Sequence, residues 1–118
     1  MEFNKNVPIY LQIIFEIKRR ISAGALKPGD KLPSVRDFAQ ELQVNPNTII
    51  RAYQEMERDG MAETRRGLGT FIVADEKFSV AGMRSAIGQQ LTKEFIEKML
   101  HAGVSKEEIL ALVEANLK

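Results

Sequence analysis

The chain has 118 residues, 17 Lys and Arg against 16 Asp and Glu, 44% hydrophobic and 28% charged side chains, and neither Cys nor Trp. This is the balance of a soluble globular protein of about one domain, and the missing cysteines exclude a disulfide framework, a thiolate metal site and a cysteine nucleophile. No leader-like apolar stretch follows Met1, and no apolar run approaches the roughly 18 residues that span a bilayer, so the expectation is a cytoplasmic protein with no membrane partner.

In chain order, Tyr10, Ile13, Ile14, Ile17 and Ile21 recur at helical spacing behind Pro8, predicting a helix over about 8–23 that stops at Gly24. Ser34, followed by Asp37 three residues on, reads as the N-cap of a short second helix with Val35, Phe38, Ala39 and Leu42 on its apolar face. Gln43-Val44-Asn45 breaks it, because a residue before proline disfavours the helical region. Asn45 as N-cap and Pro46 in the first turn then start a third helix with Ile49, Ala52, Tyr53 and Met56 inward, ending near Gly60. Two helices joined by so short a turn make a helix-turn-helix. Residues 61–64 and 70–73 read as strands flanking Arg65-Arg66-Gly67-Leu68-Gly69, a hairpin directly behind the helix-turn-helix and therefore a wing. Asp75-Glu76-Lys77 ends that unit.

The remainder reads as two helices. Val80, Met83, Ile87, Leu91, Phe95 and Met99 recur every three or four residues before Gly103. Ser105 with Glu108 forms a capping box for a last helix carrying Ile109, Leu112 and Val113. The fold class is α+β, mainly α: a winged helix-turn-helix over 1–74 and a two-helix tail over 75–118. Two helices this short cannot bury a continuous apolar stripe by themselves, so these nine positions are expected to meet a second copy across a two-fold axis. The alternative is that the tail folds back on its own winged unit.

No enzyme can be assembled from these residues. His101 is the only histidine and stands at a helix end with no metal-ligand partners nearby, and Gly67-Leu68-Gly69 falls short of a phosphate-binding loop. No cofactor or metal is expected. The residues that share a purpose are Ser34, Arg36, Asn45, Asn47, Thr48, Arg51, Arg65, Arg66 and Gly67. In a winged helix-turn-helix the third helix enters the major groove, helix amino ends attract phosphates, and an arginine-tipped wing suits a narrow minor groove. Charge agrees with a local contact: residues 1–74 carry 11 basic and 9 acidic side chains, residues 75–118 carry 6 and 7. Each feature has a plainer explanation: capping for Asn45, solvation for Arg65 and Arg66, and pairing with Glu55 for Arg51. Their joint placement favours double-stranded DNA over the alternative, a winged module that binds an acidic protein.

The run Gly24-x-Leu26-x-Pro28-Gly29-x-x-Leu32-Pro33-Ser34-x-Arg36-x-Phe38-Ala39-x-x-Leu42-x-Val44, then Thr48-Ile49-x-Arg51-Ala52-Tyr53, Asp59-Gly60 and Gly67-x-Gly69-Thr70-Phe71-Ile72-Val73, resembles the GntR family of bacterial transcriptional regulators. The likeness spans about residues 8–73. It implies DNA contacts at Ser34, Arg36, Asn45, Asn47, Thr48, Arg66 and Gly67. Many members carry an arginine where this chain has Pro46, so the usual guanine-reading contact does not transfer. The short tail, with Ala102-Gly103-Val104-Ser105-x-Glu107-Glu108-Ile109, resembles the YtrA-like subfamily, which implies a homodimer that represses an adjacent transporter-type operon from a pseudo-palindromic operator. The resemblance leaves open whether a small-molecule effector exists.

Overall fold

The computed structural model describes residues 1–74 and 80–118, in the order α1 (Ile9–Ser22), α2 (Val35–Leu42), α3 (Pro46–Arg58), β1 (Ala62–Arg65), β2 (Gly69–Ile72), α4 (Val80–His101) and α5 (Lys106–Asn116). The stretch Asp75-Glu76-Lys77, read above as the end of the winged unit, lies outside the described residues. Two compact units are present, Met1–Arg84 and Ser85–Lys118.

In the first unit α1 starts one residue after Pro8, which stands at the N-cap with an extended ψ of 134°. The segment before it is tied down by Gln12, whose side chain accepts from Asn4 N–H at 2.8 Å and donates to the Asn4 and Val7 carbonyls at 2.8 and 2.9 Å. The predicted stripe of α1 is the buried one: Ile13, Ile14, Ile17 and Ile21 pack with Phe38, Ala39 and Leu42 of α2 and Ile49, Ala52, Tyr53 and Met56 of α3. Burying a side chain of this size contributes about 1.5–3 kcal/mol, so this cluster is the main force opposing chain entropy. Between α2 and α3, Gln43 adopts φ 58°, a left-handed conformation that is uncommon without glycine; its N–H reaches the Ala39 carbonyl and closes α2.

The hairpin pairs Ala62 with Ile72, Glu63 with Phe71, Thr64 with Thr70 and Arg65 with Gly69. Each strand is displaced by one residue from the sequence expectation. The pairing of Arg65 with Gly69 leaves a three-residue tip, Arg66-Gly67-Leu68, which Gly67 turns at φ 77°. Lys31 bridges to Phe71 on the other edge of β2. Val80 and Met83, in the first turns of α4, pack against this same core, so the first unit runs on to Arg84.

Within the second unit, Gly103 turns the chain at φ 86° between α4 and α5, and the Val104 N–H bonds the Met99 carbonyl at 3.0 Å. The predicted capping box forms: Ser105 Oγ accepts from Glu108 N–H and the Glu108 carboxylate accepts from Ser105 N–H, both at 3.2 Å. Those bonds hold the Glu108 carboxyl below its ordinary range. Ile87 and Ile109 are buried, Met99 is half-buried, and Leu91, Phe95, Leu112 and Val113 are exposed. A groove of about 370 Å³ opens between Phe95 and Met99 on α4, Leu112 and Val113 on α5, and Leu117 just beyond it.

Candidate nucleic-acid interface

Two helix amino ends are built by short polar caps. Ser34 Oγ accepts from Asp37 N–H at 3.1 Å at the start of α2, and Asn45 Oδ1 accepts from Asn47 N–H at 2.8 Å at the start of α3. Both caps satisfy otherwise orphaned amides and leave the positive ends of the helix dipoles open to an anion. Arg36 and Asn47 are exposed beside those ends, and Thr48 is half-buried. At the wing tip Arg66 and Gly67 are exposed. Among the described residues, the side chains of Arg36, Asn47, Thr48 and Arg66 have no hydrogen bond, ion pair or ring contact within the chain.

Two other predicted positions are already engaged. Arg51 lies over the Tyr10 ring at 4.0 Å, and Glu55, its expected helical partner, instead meets Arg58 at 3.2 Å. The ring of Tyr10 on α1 offers the guanidinium a flat, partly desolvated face that an i,i+4 surface pair cannot match. Arg65 bonds the Glu63 carboxylate at 2.9 and 3.2 Å and lies over Phe71 at 4.2 Å.

Three residues that hold this surface in shape were not singled out by the sequence. The Tyr53 hydroxyl donates to the Pro33 carbonyl at 2.7 Å and ties α3 to the residue just before Ser34. Burial pushes the Tyr53 phenol far above its usual value, so it remains a donor throughout the physiological range. Arg20 spans α1 and α2: its guanidinium bonds Glu41 at 2.5 Å and Glu16 at 2.9 Å and lies over Phe38 at 5.2 Å. The bond to Glu41 raises the Arg20 pKa, and the bond from Arg19 lowers that of Glu16. The four-residue spacing of Glu16 and Arg20 on one helix is the local signal that could have pointed to this arginine. Tyr10, read as a core residue, is the third.

His101 is exposed in the last turn of α4. Among the described residues no group of three His, Cys, Asp or Glu could hold a metal, and no helix is long and apolar enough to cross a membrane.

Residues 9–72 match the family model described as "Bacterial regulatory proteins, gntR family". The chain is 46% identical over 105 residues to the HTH-type transcriptional repressor YtrA of Bacillus subtilis, covering 88% of this chain and 80% of that protein. A solved GntR family transcriptional regulator from Listeria monocytogenes superposes with a TM-score of 0.77 at 41% identity, over 96% of this chain and 98% of that one. The DNA-binding domain of AraR, solved in complex with operator ORR3, matches 62% of this chain and 86% of its own length, with a TM-score of 0.54 and 30% identity.

Proposed function

The chain belongs to the GntR family and is a DNA-binding transcriptional regulator, and from that premise we propose that it acts in the cytoplasm as a homodimeric repressor of an adjacent transporter-type operon. The observation that carries the DNA reading is the set of unpartnered polar groups, Arg36, Asn47, Thr48 and Arg66, at two capped helix ends and a wing tip. In this reading the amino end of α3 enters the major groove, where Asn47 and Thr48 meet base edges or phosphates and Arg36 takes a phosphate or a guanine. Ser34 and Asn45 hold the helix ends in place, and Arg66 with Gly67 enters the neighbouring minor groove. Arg51 and Arg65, already held by Tyr10 and Glu63, border the contact.

Dimerisation is supported by the second unit alone. With Leu91, Phe95, Leu112 and Val113 exposed, its two helices lack a closed core, and the same face of another copy would cover them in an isologous contact. We assign Ile87, Met99 and Ile109 to the same face; Val80 and Met83 are partly buried against the winged core, at the near end of that stripe. Two symmetric recognition helices demand a pseudo-palindromic operator with half-sites about one helical turn apart, and occupancy there would block the promoter.

The test is selection of bound duplexes from a random-sequence pool at physiological salt with excess competitor DNA. Enrichment of such an inverted repeat is expected. Recovery of single half-sites overturns the dimer, and no enrichment overturns the operator reading in favour of a winged module for an acidic protein.

A further inference from the structure

The sheet is extended beyond the hairpin by residues 30–32. Leu32 N–H bonds the Thr70 carbonyl and Ile72 N–H bonds the Asp30 carbonyl, both at 2.8 Å, so the segment around Lys31 lies antiparallel beside β2, bridged to it at Phe71. Cross-strand partners share a face of a sheet, and alternate residues return to it. The pairs Lys31 with Phe71, Glu63 with Phe71 and Arg65 with Gly69 therefore place all five on one side of the wing. The opposite side carries Leu32, Ile72 and Ala62, all buried in the core.

On the outer side the charges are not equivalent. Arg65 is neutralised by Glu63 and stacked on Phe71. Lys31 is exposed and has no carboxylate partner among the described residues. Its side chain lies along the wing, across residue 69: a Cβ there would stand 2.7 Å from Lys31 Cε and 3.4 Å from Nζ. The ammonium is thus carried from the strand opposite Phe71 towards the tip, to the level of the Arg65 and Gly69 pair.

We propose that Lys31 is a phosphate-binding residue of the wing, its ammonium laid across Gly69 so as to take a DNA backbone phosphate beside the groove that Arg66 and Gly67 enter. The proposal rests on the DNA reading above. A lysine is a point charge without a fixed donor fork, so the contact positions the wing and reads no sequence. Arg65 adds nothing comparable while Glu63 occupies it.

The test measures the affinity of the full chain for its selected duplex and for a random duplex across a salt series, with wild type, Lys31→Met, Lys31→Arg and Glu63→Gln. Lys31→Met keeps the stem and loses the charge. It should weaken both duplexes by the same factor, several-fold at low salt, and make the slope of log affinity on log salt shallower by about one per subunit. Lys31→Arg should restore the slope, and Glu63→Gln, which frees Arg65, should steepen it. A Lys31→Met slope that superimposes on wild type overturns the assignment while leaving the regulator reading intact. A loss confined to the selected duplex with an unchanged slope also overturns it, in favour of a base contact. Failure of the wild type to bind either duplex overturns both.

Discussion

In the first unit Ile13, Ile17, Ile49, Met56 and Ile72 are wholly shielded from solvent, whereas in the second only Ile87 and Ile109 are buried among the described residues, and Leu91, Phe95, Leu112 and Val113 remain 37–47% exposed. Both regions carry apolar residues at helical spacing. The difference is that α1, α2, α3 and the wing present four faces to one another, while two helices offer each other one face apiece and leave the rest bare. Periodicity reports that a face is apolar; it does not report what covers it.

That contrast can be broken most severely in the closed core. Phe38→Ala removes the largest wholly buried side chain among the described residues and should cost about 3–5 kcal/mol in urea unfolding, a large fraction of the stability of a small domain. A loss below about 1 kcal/mol would mean that the core tolerates collapse around α2. The open region should respond in association and not in folding. Leu91→Asp is expected to sediment as a monomer at concentrations where wild type is a dimer, with the helical signal of the first unit retained; a variant that still sediments as a dimer removes this face of α4 from the interface.

At the first unit's surface, Arg36→Ala should weaken specific binding by about 1–3 kcal/mol, the worth of one good contact, without shifting the unfolding midpoint. Superimposable titrations of wild type and variant would remove Arg36 from the contact. The smallest effect concerns the charge cluster of Glu16, Arg19 and Arg20 on α1. The Glu16 carboxyl is held below its ordinary value of 4.5, chiefly by Arg19, so its contribution to stability is present above that pH and is lost as pH falls through the lower, folded-state value. The stability difference between wild type and Glu16→Gln should therefore shrink on acidification through this range. A difference independent of pH would locate the effect in packing.

The legible parts of this molecule were those written in neighbouring residues. Ser34, Asn45 with Pro46, and Ser105 with Glu108 announce helix starts because a cap acts over two or three positions, and each is found capping as expected. The strands reach one residue further towards the tip than expected because Arg65 pairs with Gly69, which the run of residues does not display. Arg51 on Tyr10, Arg20 on Glu41, and Val80 and Met83 on the core join residues far apart in the chain. The positions proposed to face DNA follow from helix ends and a wing, but which of their charges stand free depends on side-chain pairing that the sequence does not display. Glu63 occupies Arg65 and leaves Arg66 open.

The bond from the Tyr53 hydroxyl to the Pro33 carbonyl joins residues twenty apart and links α3 to the start of α2. It works as a strut of fixed length between the two jaws of a calliper: neither helix can be re-aimed without dragging the other. If it grips DNA in the proposed way, this pair of helices would have little give of its own. A half-site whose groove is slightly too wide or too narrow would then have to yield instead, so the bending and twisting compliance of base pairs the protein never touches would enter the choice of site.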